Sequence, residues 1–221
     1  MIPLRDYQPS LSTPWVTLLL ILTNCVVFAY ELTLDPFSLN ELFHTYGLIP
    51  AHPEATTFLT SMFLHGGWLH LIGNMWFLWI FGDNVEDVMG HGRYLAFYLL
   101  CGIAAGLVHV IFMAGSRVPT VGASGAIAGV MGAYMVKFPA ARIVTLVPMF
   151  FVLTTVEVPA GLMLLYWFVL QLLSGAGSLL QPGAGSGIAW FAHAGGFVAG
   201  IVLLKLLGSR PRYRRRVDWS W

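Results

Sequence analysis

The chain has 221 residues, 57% of them hydrophobic and 10% charged, with a formal net charge of +1. A soluble domain carries roughly 25% charged residues, so a soluble domain is excluded and a membrane protein, of one domain, is expected.

In chain order, the first charge-free run is Trp15 to Tyr30, after the segment "MIPLRDYQPSLSTP". That lead-in has little positive charge, and no small-x-small cleavage site follows, which argues against a cleaved signal peptide. Further runs are Ala55 to Phe81, Tyr94 to Ser116, Val118 to Val136 and Val158 to Leu204. A spanning helix takes about 20 such residues. The last run is too long for one crossing, and the glycines and Pro182 of "SGAGSLLQPGAGSG", Ser174 to Gly187, break it in two. Six spans are therefore expected, at about 14–32, 60–81, 94–115, 122–137, 158–175 and 187–207, flanked by a short cytoplasmic segment, 1–13, and a basic tail, 208–221.

Arg142 to Val156, apolar but interrupted by Pro148, reads as an interfacial or partly buried connector. Charge supports this count, because cytoplasmic loops collect Lys and Arg. With six spans and an inner N-terminus, Arg5, Arg93, Lys137, Arg142, Lys205, Arg210, Arg212, Arg214, Arg215 and Arg216 fall inside and only Arg117 outside. A seventh span would move the tail "RPRYRRR" outside; read inside, it is expected to be an orientation anchor beside the last span, the alternative being a binder of acidic lipid or nucleic acid. Cys25 and Cys101 lie within spans at no metal-ligand spacing and read as packing residues.

Polar groups in lipid are costly and point to function. Every carboxylate lies outside the spans or at an edge, which counts against an aspartyl protease and a carboxylate proton relay. The zinc signature H-E-x-x-H is absent, and no metal or cofactor is expected. Within the spans stand Ser124, the histidines 65, 70, 109 and 193, Asn74, Asn24 and Gln171. A serine becomes a nucleophile only when a base within hydrogen-bond reach takes its proton, and histidine suits that work. In the six-span topology Ser124, His193, His70, Asn74 and His109 share one layer toward the outer face, so spacing leaves both His193 and His109 as candidate bases.

His70 and Asn74 are four apart and share a helix face. They could hold an oxyanion or bond neighbouring backbone carbonyls. Small residues recur as Gly102-xxx-Gly106, Gly125-xxx-Gly129 and Gly196-xxx-Gly200, the spacing that lets helix backbones approach closely. Ser124 in "GASG" reads either as one more small residue or as a group that this close packing delivers to a histidine.

Over nearly all of residues 60–200 the chain resembles the rhomboid intramembrane serine proteases. The resemblance rests on "HGGWLHLIGNMW" with His70 and Asn74 as H-x-x-x-N, "GASG" with Ser124 as G-x-S-G, "HAGGFVAG" with His193 as H-x-x-G-x-x-x-G, and "GDNVEDVMGHGR" with Glu86 and Gly90. It implies an all-α, six-helix bundle in which Ser124 is the nucleophile and His193 the general base. The oxyanion hole would be His70, Asn74 and the Ser124 backbone N–H, with Gly122, Gly125, Gly129, Gly196 and Gly200 as helix-packing residues.

The implied substrates are transmembrane segments of other proteins, cut in the bilayer through an acyl-enzyme and entering beside span 5 near Trp167 and Phe168. The implied setting is a bacterial inner membrane, with both termini cytoplasmic, the site opening outward and no nucleic-acid partner. Two departures stand out: the loop from Leu34 to Thr57 lacks a Trp-Arg pair, and Ala128 stands where some relatives place a tyrosine against the base. The competing readings are a catalytically inactive relative acting as a membrane chaperone or dislocation factor, and a transporter.

Overall fold

A computed structural model describes residues 2–149, 152–180 and 189–209. Each apolar run forms a helix: α1 (Trp15–Glu31), α4 (Trp68–Met89), α5 (His91–Phe112), α6 (Ser124–Lys137), α7 (Ala160–Leu180) and α8 (Trp190–Leu207). Between α1 and α4 lie α2 (Pro36–Tyr46), α3 (Thr57–Thr60) and a 3-10 turn, Ser61–Phe63. Among the described residues, three helices are long and apolar enough to cross a membrane by length and composition: α5, α7 over Ala160–Gly177, and α8. Of the others, α1 is a shorter apolar helix and α6 has 14 residues.

Helix ends depart from the expected spans most at α4, which begins at Trp68 and runs on to Met89. Gly66 and Gly67 separate it from the short helical turns at 57–63. Its far end carries Asp83, Glu86 and Asp87, which interrupt the charge-free run without interrupting the helix. Helix α7 continues through the first glycines of the segment expected to break it, to Leu180. Pro182 and the tail from Arg210 onward lie outside the described residues.

The bundle is also not all helical. The connector after α6 is a hairpin of β2 (Arg142–Met149) and β3 (Val152–Pro159), and β1 (Ile2–Asp6) pairs antiparallel with the other edge of β2. Its β-branched residues favour extended chain, and Ile143 and Thr145, two apart on one face, are fully buried. Trp76 Nε1 donates to the Pro3 carbonyl (2.7 Å) and the Tyr134 hydroxyl to the Asp6 carboxylate, tying the sheet to α4 and α6. Burial pushes the Asp6 carboxyl above its ordinary range, and the Tyr134 bond offsets part of that.

Helix α1 has no side-chain cap of its own. Glu86 supplies it: its carboxylate, fully buried, accepts from the backbone N–H of Val16 (2.9 Å) and Thr17 (2.8 Å) and from the Thr17 hydroxyl (2.7 Å). A negative group at a helix N-terminus is favourable, and removing it strands buried donors at about 1–3 kcal/mol each. Glu86→Ala is expected to lower stability by about 2–4 kcal/mol, and Glu86→Gln by less, in chemical unfolding of detergent-solubilised protein. An Ala variant as stable as wild type would remove Glu86 from this role.

At the centre, α6 packs most extensively on α8, and α8 on α5. A methyl added at Gly196 would overlap the Gly125 carbonyl oxygen, and one at Gly200 that of Gly129. Helices α6 and α8 therefore meet backbone to backbone. Cys101 is buried in α5 against Gly129, whereas Cys25 is exposed on α1 and is not a core packing residue.

Candidate active site

Helix α6 is approached by a strand-like segment. Thr120 and Leu48 exchange backbone hydrogen bonds (2.8 and 3.0 Å), and the Gly122 N–H donates to the Ser61 carbonyl (2.8 Å). These bonds tie the loop after α2 to the entry of α6. Gly122 stands at φ +125°, where a Cβ is strained, and a Cβ there would lie 2.6 Å from Nε2 of the His70 ring. This corrects the expectation of a helix-packing glycine: Gly122 precedes α6, where it makes the turn and leaves room for His70. Ser124 is the first residue of α6, so its N–H is among the first-turn donors that the helix itself leaves unpaired.

His193 lies near the start of α8, its N–H bonded to the Ala189 carbonyl (3.1 Å). The α6–α8 contact brings its Nε2 to 2.7 Å from Ser124 Oγ. Both residues are half-buried. His109 instead places Nε2 2.9 Å from Thr120 Oγ1, so of the two candidate bases only His193 is hydrogen-bonded to the serine. Ala128 is buried and offers the imidazole no ring. That packing comes from Trp167 of α7, with centroids 5.8 Å apart, and edge-on from Trp190 at 6.4 Å.

On α4, His70 and Asn74 both face Gly122. The position of a Gly122 Cβ lies 2.6 Å from His70 Nε2 and 3.6 Å from Asn74 Nδ2. Asn74 is buried, and its Nδ2 has no hydrogen-bond partner among the described residues. His65 packs edge-on against His70 at 5.1 Å, and its backbone N–H donates to Glu31 (3.1 Å), a carboxylate buried at the end of α1.

One contact went unassigned in the sequence. Gln171 of α7, nine-tenths buried, places Oε1 2.7 Å from His193 Nδ1. The available signals were a single amide in an otherwise apolar span and its i+4 relation to Trp167.

A hydroxyl against an imidazole nitrogen, beside a buried unpaired amide N–H, is an arrangement able to carry acyl transfer. The fold and site together define an integral membrane protein, mostly helical, with a serine and a histidine joined inside its bundle. The chain belongs to the rhomboid family: the Rhomboid domain matches residues 52–210. Over 95 residues, 42% of this chain and 25% of the relative, it is 34% identical to the presenilin-associated rhomboid-like protein, mitochondrial, of Homo sapiens. It is 41% identical over 85 residues to the Rhomboid protease GluP of Bacillus subtilis, covering 38% of this chain and 16% of that protein. With RHOMBOID-like protein 6, mitochondrial, of Arabidopsis thaliana it shares 38% identity over 82 residues, 37% of this chain and 26% of the relative. The matched segments thus span about a quarter or less of each relative's length.

Proposed function

We propose that this protein is an intramembrane serine endopeptidase that cuts transmembrane segments of other membrane proteins with Ser124 and His193. The observation that carries the reading is the 2.7 Å separation of Ser124 Oγ and His193 Nε2. His193 takes the hydroxyl proton as Oγ attacks the scissile carbonyl, and the resulting oxyanion is held by the Ser124 N–H, Asn74 and His70. His193 then returns the proton to the leaving amide nitrogen. Water, deprotonated by the same imidazole, hydrolyses the acyl-enzyme and frees Ser124.

The proposed topology is six spans with both termini cytoplasmic. A helix of 14 residues is about 21 Å long, against a hydrocarbon core of about 30 Å. If the inner end of α6 sits at one face, Ser124 lies within the membrane thickness, below a cavity opening outward. A spanning substrate has its carbonyls paired, so it must unwind locally, entering beside α7 near Trp167 and Phe168. A bacterial plasma membrane is the proposed location, although the relatives include mitochondrial proteins as well as the Bacillus subtilis one. Retention of both Ser124 and His193 favours the protease over an inactive chaperone of the same fold.

The test is reconstitution of purified protein with a model transmembrane substrate, mapping products by mass spectrometry and labelling Ser124 with a fluorophosphonate. No cleavage and no labelling in any bilayer would leave the chaperone reading. Asn74→Ala is expected to slow turnover by about 10- to 1000-fold, the scale for one oxyanion donor, with little change in KM. Unchanged turnover would make Asn74 a packing residue.

A further inference from the structure

We propose that Gln171 is the positioning residue of this site, fixing the tautomer of His193 from α7. The inference rests on the proposed Ser124–His193 reading and adds a third member to it. A neutral imidazole has one N–H and one lone pair, and the partner of one nitrogen decides which nitrogen holds the proton. At 2.7 Å from Nδ1, the Gln171 carbonyl oxygen can only accept, so the proton sits on Nδ1. Nε2 then presents its lone pair to Ser124 Oγ, also 2.7 Å away.

A reversed amide would donate to Nδ1 and force the proton onto Nε2, where it would face the serine hydroxyl and bar its transfer. In a bundle whose carboxylates lie elsewhere, the amide oxygen thus does the orienting that a buried acid does in other serine hydrolases, without placing a charge beside the ring. Trp167, one turn before Gln171, packs on the same imidazole. The two side chains form one α7 face against His193. Orientation of the base therefore depends on α7 being seated on α8, and a substrate that displaces α7 on entry leaves the base unoriented until the helix returns.

The decisive comparison is Gln171→Met, which keeps length but replaces the carbonyl oxygen with a weakly accepting thioether, against Gln171→Glu, which keeps a strong oxygen acceptor. Gln171→Met is expected to lower kcat and the rate of fluorophosphonate labelling by about 10- to 100-fold, the scale for losing the outer partner of a metal-bound histidine, with KM within about threefold; Gln171→Glu retains most of the labelling rate. In 15N spectra of the purified protein, His193 Nδ1 should be protonated and Nε2 unprotonated in wild type, with the two tautomers mixed in Gln171→Met. Labelling by Gln171→Met at the wild-type rate, equal loss in both variants, or a wild-type proton on Nε2 would overturn the proposal. If wild type neither labels nor cleaves, the proteolytic reading falls, and the nitrogen spectra still decide the tautomer.

Discussion

Ser124→Ala is expected to reduce kcat/KM for a transmembrane substrate by about 10,000-fold or more, His193→Ala to a similar degree, and the double variant no further than either. In the proposed mechanism the two side chains act as one unit: without the hydroxyl the imidazole has nothing to activate, and without the imidazole the hydroxyl keeps its proton. In serine proteases whose residues work this way, single losses approach the effect of removing all of them, and the remaining rate comes from the oxyanion donors and binding. His109 supplies the control. It is the other candidate base by sequence but is bonded to Thr120, so His109→Asn should keep cleavage within about tenfold of wild type, far above the dyad variants. Additive losses at Ser124 and His193, or a His109 variant as impaired as His193→Ala, would break the assignment.

The second large effect is expected at a residue with no side chain. A valine at Gly200 directs its Cβ onto the Gly129 carbonyl oxygen, which belongs to a helix backbone and cannot turn aside as a flexible side chain can. Overpacking a tight contact costs about 1–3 kcal/mol, so Gly200→Val should unfold measurably earlier than wild type in detergent. Activity should suffer beyond the loss of stability. A shift of about 1 Å in a catalytic group can cost about 100-fold, and the Ser124–His193 bond spans the same α6–α8 contact. Gly200→Ala should fall between the two. At Gly73 of α4, nothing lies within 4 Å of an added Cβ, and Gly73→Ala should unfold no earlier than wild type. A Gly200→Val protein with wild-type melting and cleavage would mean that α6 and α8 do not meet here.

The sequence made some of this legible and hid the rest for physical reasons. Apolar runs located the long helices because a lipid-facing surface and a packed core both call for apolar side chains, yet the end of α4 was missed: Glu86 reads as a terminus by charge although, buried and paired, it belongs inside the fold. The GxxxG spacings pointed to close packing of α6 and α8, since small residues four apart make a smooth helix face. What spacing left open was His109 against His193, because depth is shared and only the tertiary arrangement decides which ring turns to Thr120 and which to Ser124. Gln171 stood out as an amide within a span, but its partner was hidden for the same reason: the contact lies between α7 and α8, across a link that no helical period spans. The sheet escaped because β1 is five residues long and pairs with a strand far along the chain.

That pairing also sets an order of events during synthesis. Residues 2–6 leave the ribosome before everything else described here, but their partner β2 follows only after α1 to α6, about 140 residues later. At roughly 5–20 residues per second, the first strand waits on the order of 7–30 s, while the helices that carry Ser124, His70 and Asn74 are being made. Its clasp through Asp6 onto Tyr134 can form only once α6 is in place. The first of the described strands is thus among the later elements to dock, and its edge stays unpaired until the hairpin arrives.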